Sequence, residues 1–206
     1  MNIKAVVKVM NFHALLHVES ARKEAEKYQM LEKELSRMMG LIMNNRNLQL
    51  DKKVLKTKPG GPELCIYIGS DLGFCGAVNS SVNAESDGVG ADAVVVGKKI
   101  RRIKNQICFL ERESLDENWD LIRDIFRQAV VEQKYSRIYL IYNHYHNMSS
   151  IECVKKLIFP IEMADTEQSE KGDFITMGDA TEVLQSMVIT YLEFETGMAA
   201  VSSYAS

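Results

Sequence analysis

The sequence predicts an α/β protein with an open, mainly parallel sheet and helices, held between two long terminal helices that pair as an antiparallel coiled coil. Three observations point there. Apolar, β-branched runs (residues 64–68, 93–96 and 137–143) alternate with helix-compatible stretches, the pattern of a parallel sheet. Residues 3–46 and 183–205 each carry apolar side chains at steps of three or four. Prolines stand only at 59, 62 and 160, so both long helices can run unbroken.

The first helix covers 3–46. Ile3, Val7, Met10, Ala14, Val18, Ala21, Ala25, Tyr28, Leu31, Leu35, Met38 and Ile42 follow one another at a mean step of about 3.5, the coiled-coil value. Arg22, Lys23, Glu24, Glu26, Lys27, Glu32, Lys33 and Glu34 lie between them and suit a solvated face. At about 65 Å such a helix outreaches a domain of this size, so part of it should project and pack on another helix. Asn44-Asn45 and Pro59-Gly60-Gly61-Pro62 then bring turn chemistry.

Leu64–Ile68 is a buried strand that stops at Gly69 and turns through Ser70-Asp71 into a stretch that can start a helix. Ala93–Gly97 is a second strand, and Gln106–Leu110 a short third. The basic segment Lys98–Lys104, with Ile100 and Ile103 three apart, reads as a solvated short helix. Ser114-Leu115-Asp116-Glu117 has the form of a capping box and should open a helix running to about Gln133. Arg137–Asn143 is a strand, and Asn143–Asn147 a loop. Cys153–Ile161 is a strand ended by Pro160 at a sheet edge. Asp179-Ala180-Thr181-Glu182 is a second capping box, and the stripe Leu184, Met187, Tyr191, Phe194, Met198, Val201, Ala205 follows it. The expected units are therefore 1–46 (coiled-coil helix), 63–177 (Rossmann-like α/β domain) and 179–206 (coiled-coil helix).

Catalytic chemistry finds little support. The turn after Ile68 lacks GxxxxGK[ST] and carries no Lys, and Gly73-Phe74-Cys75-Gly76 has the wrong spacing for GxGxxG. Asp71 would repel a phosphate. Cys75 at a helix N-terminus could be a nucleophile, but no base is placed beside it. The plainer reading has Ser70 or Asp71 capping the helix, with the glycines permitting close packing. His144 and His146, at i and i+2, lack a Cys or carboxylate to complete a metal set. Glu193 and Glu195 read as part of an exposed face. The four cysteines form no CxxC and read as reduced thiols. A net charge of −3 gives no global bias toward nucleic acid, and no apolar run approaches the roughly 18 residues of a membrane span. The N-terminus is too interrupted by Lys4, Lys8, Asn11 and His13 to read as a signal peptide.

The turn Gly69-Ser-Asp-Leu-Gly-Phe-Cys-Gly-Ala-Val-Asn79 resembles the signature turn of the gamma subunit of F-type ATP synthases. Ala93–Lys99 looks like that family's second strand and basic turn. Ile141–Asn143 and Leu157–Ile161 look like its later strands, and Ala180–Ser206 like the start of its C-terminal helix. The resemblance implies a non-catalytic central-stalk rotor, with the two helices coiled antiparallel inside the ring of alpha and beta subunits. It implies an α/β domain seated on the epsilon subunit and the membrane c-ring, on the inner face of the cell membrane. No cofactor, metal or nucleic acid is implied. Ser70, Asp71, Gly73, Cys75, Gly76 and Asn79 would be family-signature structural residues. Val7, Met10, Ala14, Val18, Met198 and Ser203 would be subunit contacts. Leu72 departs from the family's usual basic residue, and the C-terminal helix stops early against the family pattern. About 15–20 residues at the start of the first helix would then lack a partner in the same chain. The alternative is a gamma-like paralogue serving as a binding or assembly module, self-associating through that unpaired start. A small-molecule enzyme site at Ser70–Gly76 is the third reading.

Overall fold

A computed structural model describes residues 19–20, 23, 26–28, 30–31, 33–41, 57, 59–71, 76–86, 90–147, 150–161 and 179–205. Helical residues recur from 19 to 41. Five strands follow: β1 Glu63–Ile68, β2 Asp92–Val96, β3 Gln106–Leu110, β4 Arg137–Asn147 and β5 Ser150–Phe159. The helices are α1 Gly76–Glu85, α2 Trp119–Val130 and α3 Ala180–Ala205. The sheet order is β3-β2-β1-β4-β5. The first three pairings are parallel, and β4–β5 is antiparallel, so the sheet is mixed but mainly parallel. None of the described helices is long and apolar enough to cross a membrane.

Strand alternation builds two cores. Leu64, Ile66 and Ile68 of β1 face one side of the sheet, where Ile122, Phe126, Ala129 and Val130 of α2 and Leu184, Val188 and Leu192 of α3 complete the main cluster. Cys65 and Tyr67 face the other side, against Val82 of α1 and Ile100 and Ile103. Burying a side chain such as Phe126, which is 0% exposed, contributes about 1.5–3 kcal/mol.

Several expectations change. Residues 143–147 are strand, not loop: β4 continues to Asn147, with Asn143 opposite Cys153, His144 opposite Glu152 and Tyr145 opposite Ile151. The antiparallel partner supplies a ladder that the polar side chains do not oppose. Ser114 does not cap a helix. Its hydroxyl donates back to the Glu111 carbonyl at 3.1 Å. With Leu115 buried, the chain advances through two 3₁₀ turns (Arg112–Ser114 and Asp116–Asn118) before α2 begins at Trp119. Residues 98–104 are not a helix either. They run beside α1 with Arg101 N–H on the Asn83 side-chain oxygen at 2.9 Å, between Gly97 (φ 118°) and Asn105 (φ 63°). The second capping residue does act: the Asp179 carboxylate accepts the Thr181 N–H at 2.7 Å.

The helical stripes also shift. Met39 is fully buried and Met38 is half exposed, because a step of four from Leu35 holds the face better than a step of three. On α3 the most buried line is Leu184, Val188, Leu192, Ala199 and Ser203. Met187, Tyr191, Phe194 and Met198 form a half-buried line beside it. The helix packs on the sheet by one face and keeps a second apolar face.

Candidate functional site

In an order 3-2-1-4-5 sheet the ligand crevice lies at the carboxyl ends of β1 and β4, where the crossovers change direction. Here side chains of α1 and α3 hydrogen-bond to that end of the sheet. The Ser203 hydroxyl of α3 donates to the Ile68 carbonyl at 3.4 Å. Ser202 Oγ lies 3.2 Å from His144 Nδ1. From α1, Ser81 donates to the Asn143 side-chain oxygen at 2.9 Å, and Asn143 is buried. The Asn79 side-chain oxygen accepts the Ser70 N–H at 3.0 Å. This arrangement fastens α1 and α3 to the end of the sheet.

The signature turn is a corner held by close backbone approach. A Cβ on Gly97 would meet the Gly69 carbonyl carbon at 2.8 Å, and one on Gly69 would meet Ile100 and, at 2.8 Å, the Asn79 oxygen. Asp71 directs its carboxylate to neighbouring loops, accepting the N–H of Lys98 at 2.6 Å and of Glu113 at 3.3 Å. Gly76 opens α1 and Asn79 is buried within it. Gly73 and Cys75 lie outside the described residues, as do Val7, Met10, Ala14 and Val18. Met198 is half-buried and Ser203 is buried. Burial pushes the thiols of Cys65, Cys108 and Cys153 above their ordinary value, which keeps them protonated and weakly nucleophilic.

The group that sequence reasoning missed sits on α3. Glu195 is buried, not exposed: both carboxylate oxygens accept from Lys156 Nζ of β5, at 2.9 and 2.7 Å, and one accepts the Tyr191 hydroxyl at 3.0 Å. The helix packs on β4 and β5, and position 195 continues the Leu184–Val188–Leu192 line, so its charge meets the sheet. That spacing from Leu192 was the available signal. Farther out, Arg123 of α2 bonds Glu193 at 2.7 Å and Asp120 at 2.9 Å. Glu193, then Asp120, favours the charged guanidinium. On the remaining face Tyr28 stacks edge-on to Phe194, centroids 6.2 Å apart. A Cβ on Gly197 would meet the Tyr28 ring at 2.8 Å. Gly197 thus lets the N-terminal helical segment approach α3 closely. The site ties a helix to a sheet by an ion pair between the buried Glu195 and the partly exposed Lys156, with a second helical segment against it.

A family model described as ATP synthase matches residues 1–206. Among curated relatives, the ATP synthase gamma chain of Mycoplasma mycoides subsp. mycoides is 25% identical, over 93% of this chain and 73% of its own length. That of Christiangramia forsetii is 25% identical, over 69% of this chain and 55% of its own. Among solved structures, a central stalk and c-ring chain of the Tetrahymena thermophila mitochondrial ATP synthase aligns with a TM-score of 0.53. It is 17% identical, over 88% of this chain and 92% of that one, and supports the fold. The chain belongs to the ATP synthase gamma family.

Proposed function

From membership in that family, we propose that the chain is a non-catalytic rotor of an F-type ATP synthase, the central-stalk subunit that couples shaft rotation to ATP synthesis or hydrolysis. The observation that carries this reading is the family match along all 206 residues. The α3 helix clamped to the sheet agrees with it, since a shaft needs a stiff root. Alpha and beta subunits would surround the helices, and the epsilon subunit and c-ring would meet the α/β domain, peripheral to the inner face of the cell membrane.

In this proposal residues 1–46 and 179–206 form an antiparallel coiled coil on an α/β domain spanning 63–177. The Tyr28 contacts with Phe194 and Gly197 support the pairing. So does the membership of Leu35 and Met39 in one cluster with Leu184 and Val188, which an antiparallel run from Tyr28 brings together. Val7, Met10, Ala14, Val18 and Met198 would touch the ring. Ser203, buried at Ile68, would act through the helix position it fixes. Ser70, Asp71, Gly73, Cys75, Gly76 and Asn79 would be structural. The test is a pull-down of the full chain with its cell's alpha and beta subunits. A stoichiometric complex is expected, and no stable complex would overturn the assignment.

A further inference from the structure

The connection from β2 to β3 is unusual for parallel neighbours, because residues 97–105 cross the sheet without a helix. The strap must travel the length of a five-residue strand, about 17 Å. Ile100 and Ile103 are buried beneath it in the Cys65–Tyr67 core cluster. Lys98, Lys99, Arg101, Arg102 and Lys104 are all exposed. Its backbone is held along its run. Lys98 and Lys99 N–H bond Asp71 and the Ser70 carbonyl, Arg101 N–H bonds Asn83, and the Asn105 carbonyl accepts the Ala93 N–H. The strap leads into β3, where Ile107 and Phe109 are each 46% exposed. Five cations in seven residues, with Lys98 on Glu111 and the Arg101 guanidinium donating to the Asn83 carbonyl, lead along a pinned backbone into two half-exposed apolar side chains, on a chain of net charge −3.

We propose that this strap is a preformed docking surface for an acidic, extended segment of a protein partner, with Ile107 and Phe109 as its apolar flank. Charge complementarity sets the sign of the partner. The pinned backbone reduces the ordering cost of binding. A protein fits better than a lipid or nucleic-acid phosphate layer. Glu111 and Glu113 are exposed at the Lys98 end, with Glu111 2.9 Å from Lys98 Nζ. Phosphates would be driven against those carboxylates, whereas a polypeptide can place a cation there. This inference concerns the isolated chain and stands apart from the rotor assignment.

The test is fluorescence anisotropy of the full chain with a labelled peptide of alternating Glu and Leu. Anionic phosphatidylglycerol vesicles and single-stranded DNA serve as the other arms. The peptide should bind most tightly. The triple variant Lys99→Glu, Arg102→Glu, Lys104→Glu should weaken it at least tenfold with an unchanged melting temperature. Phe109→Ser, which alters no charge, should weaken it several-fold. Equal or tighter binding of vesicles or DNA would overturn the proposal. So would peptide binding indifferent to Phe109→Ser, which would mark simple Coulomb attraction.

Discussion

The signature corner and the root of α3, which is clamped level with Ile66 at mid-sheet, are built from different chemistry. The corner at Gly69 is held by the close approach of two glycines and by short polar side chains that accept from backbone N–H groups: Gly97 against Gly69, Asn79 on Ser70, Asp71 on Lys98 and Glu113. The α3 root is held by side chains, with Glu195 closed on Lys156 and Tyr191, and Tyr28 seated at Gly197. A Cβ on Gly69 or Gly97 would meet neighbouring atoms at under 3 Å, so these two positions tolerate almost no substitution. A helix clamped through the buried carboxylate of Glu195 can carry a lateral load into the sheet. The recognisable motif marks the family, and the proposed rotor role falls on the helix that the motif helps to seat.

The comparison breaks most visibly at the ion pair. Lys156→Met leaves a buried carboxylate with one hydroxyl partner and should cost about 3 kcal/mol by denaturant titration. Lys156 is itself about a third exposed, which places the loss at the low end of the buried range. Lys156→Met with Glu195→Leu should recover most of that loss, which a double-mutant cycle would read directly. Gly97→Ala comes next. Its φ of 118° and the 2.8 Å approach to Gly69 predict a loss of about 2 kcal/mol, read by denaturant titration. Asn79→Ala removes the side-chain acceptor of the Ser70 N–H and should cost about 1 kcal/mol. Gly197→Leu should change stability less than these, yet weaken the helix pairing, seen as faster proteolysis within residues 19–41.

Alkaline pH gives the smallest effect. Burial raises the thiol of Cys65, partial burial raises those of Cys108 and Cys153, and burial raises the Tyr67 and Tyr135 phenols as well. The folded chain keeps these protons where the unfolded chain releases them. Their contribution is therefore complete below about pH 9 and is lost as the pH rises beyond it. The melting temperature should decline steadily from about pH 9 upward.

Much of this was legible in the sequence, for physical reasons. β1, β2 and β3 are short apolar runs ended by Gly or polar residues, and they occur where periodicity places them. Asp179 caps its helix as its spacing demands. What failed was what tertiary partners decide. Residues 143–147 look like a loop until β5 supplies a ladder. Lys98–Lys104 has helical spacing, but Asn83, Asp71 and the two buried isoleucines hold it as a strap. Glu195 reads as solvated until the facing strand presents Lys156. On α3 the apolar residues cover more than one stripe, so spacing alone chose the half-buried line over the buried one.

The most direct test of the rotor assignment is native mass spectrometry of the chain co-expressed with its cell's alpha, beta and epsilon subunits. The account predicts a complex holding one copy of this chain, seated in an alpha–beta ring. A ring that assembles without the chain, or with two copies of it, would contradict a central rotor.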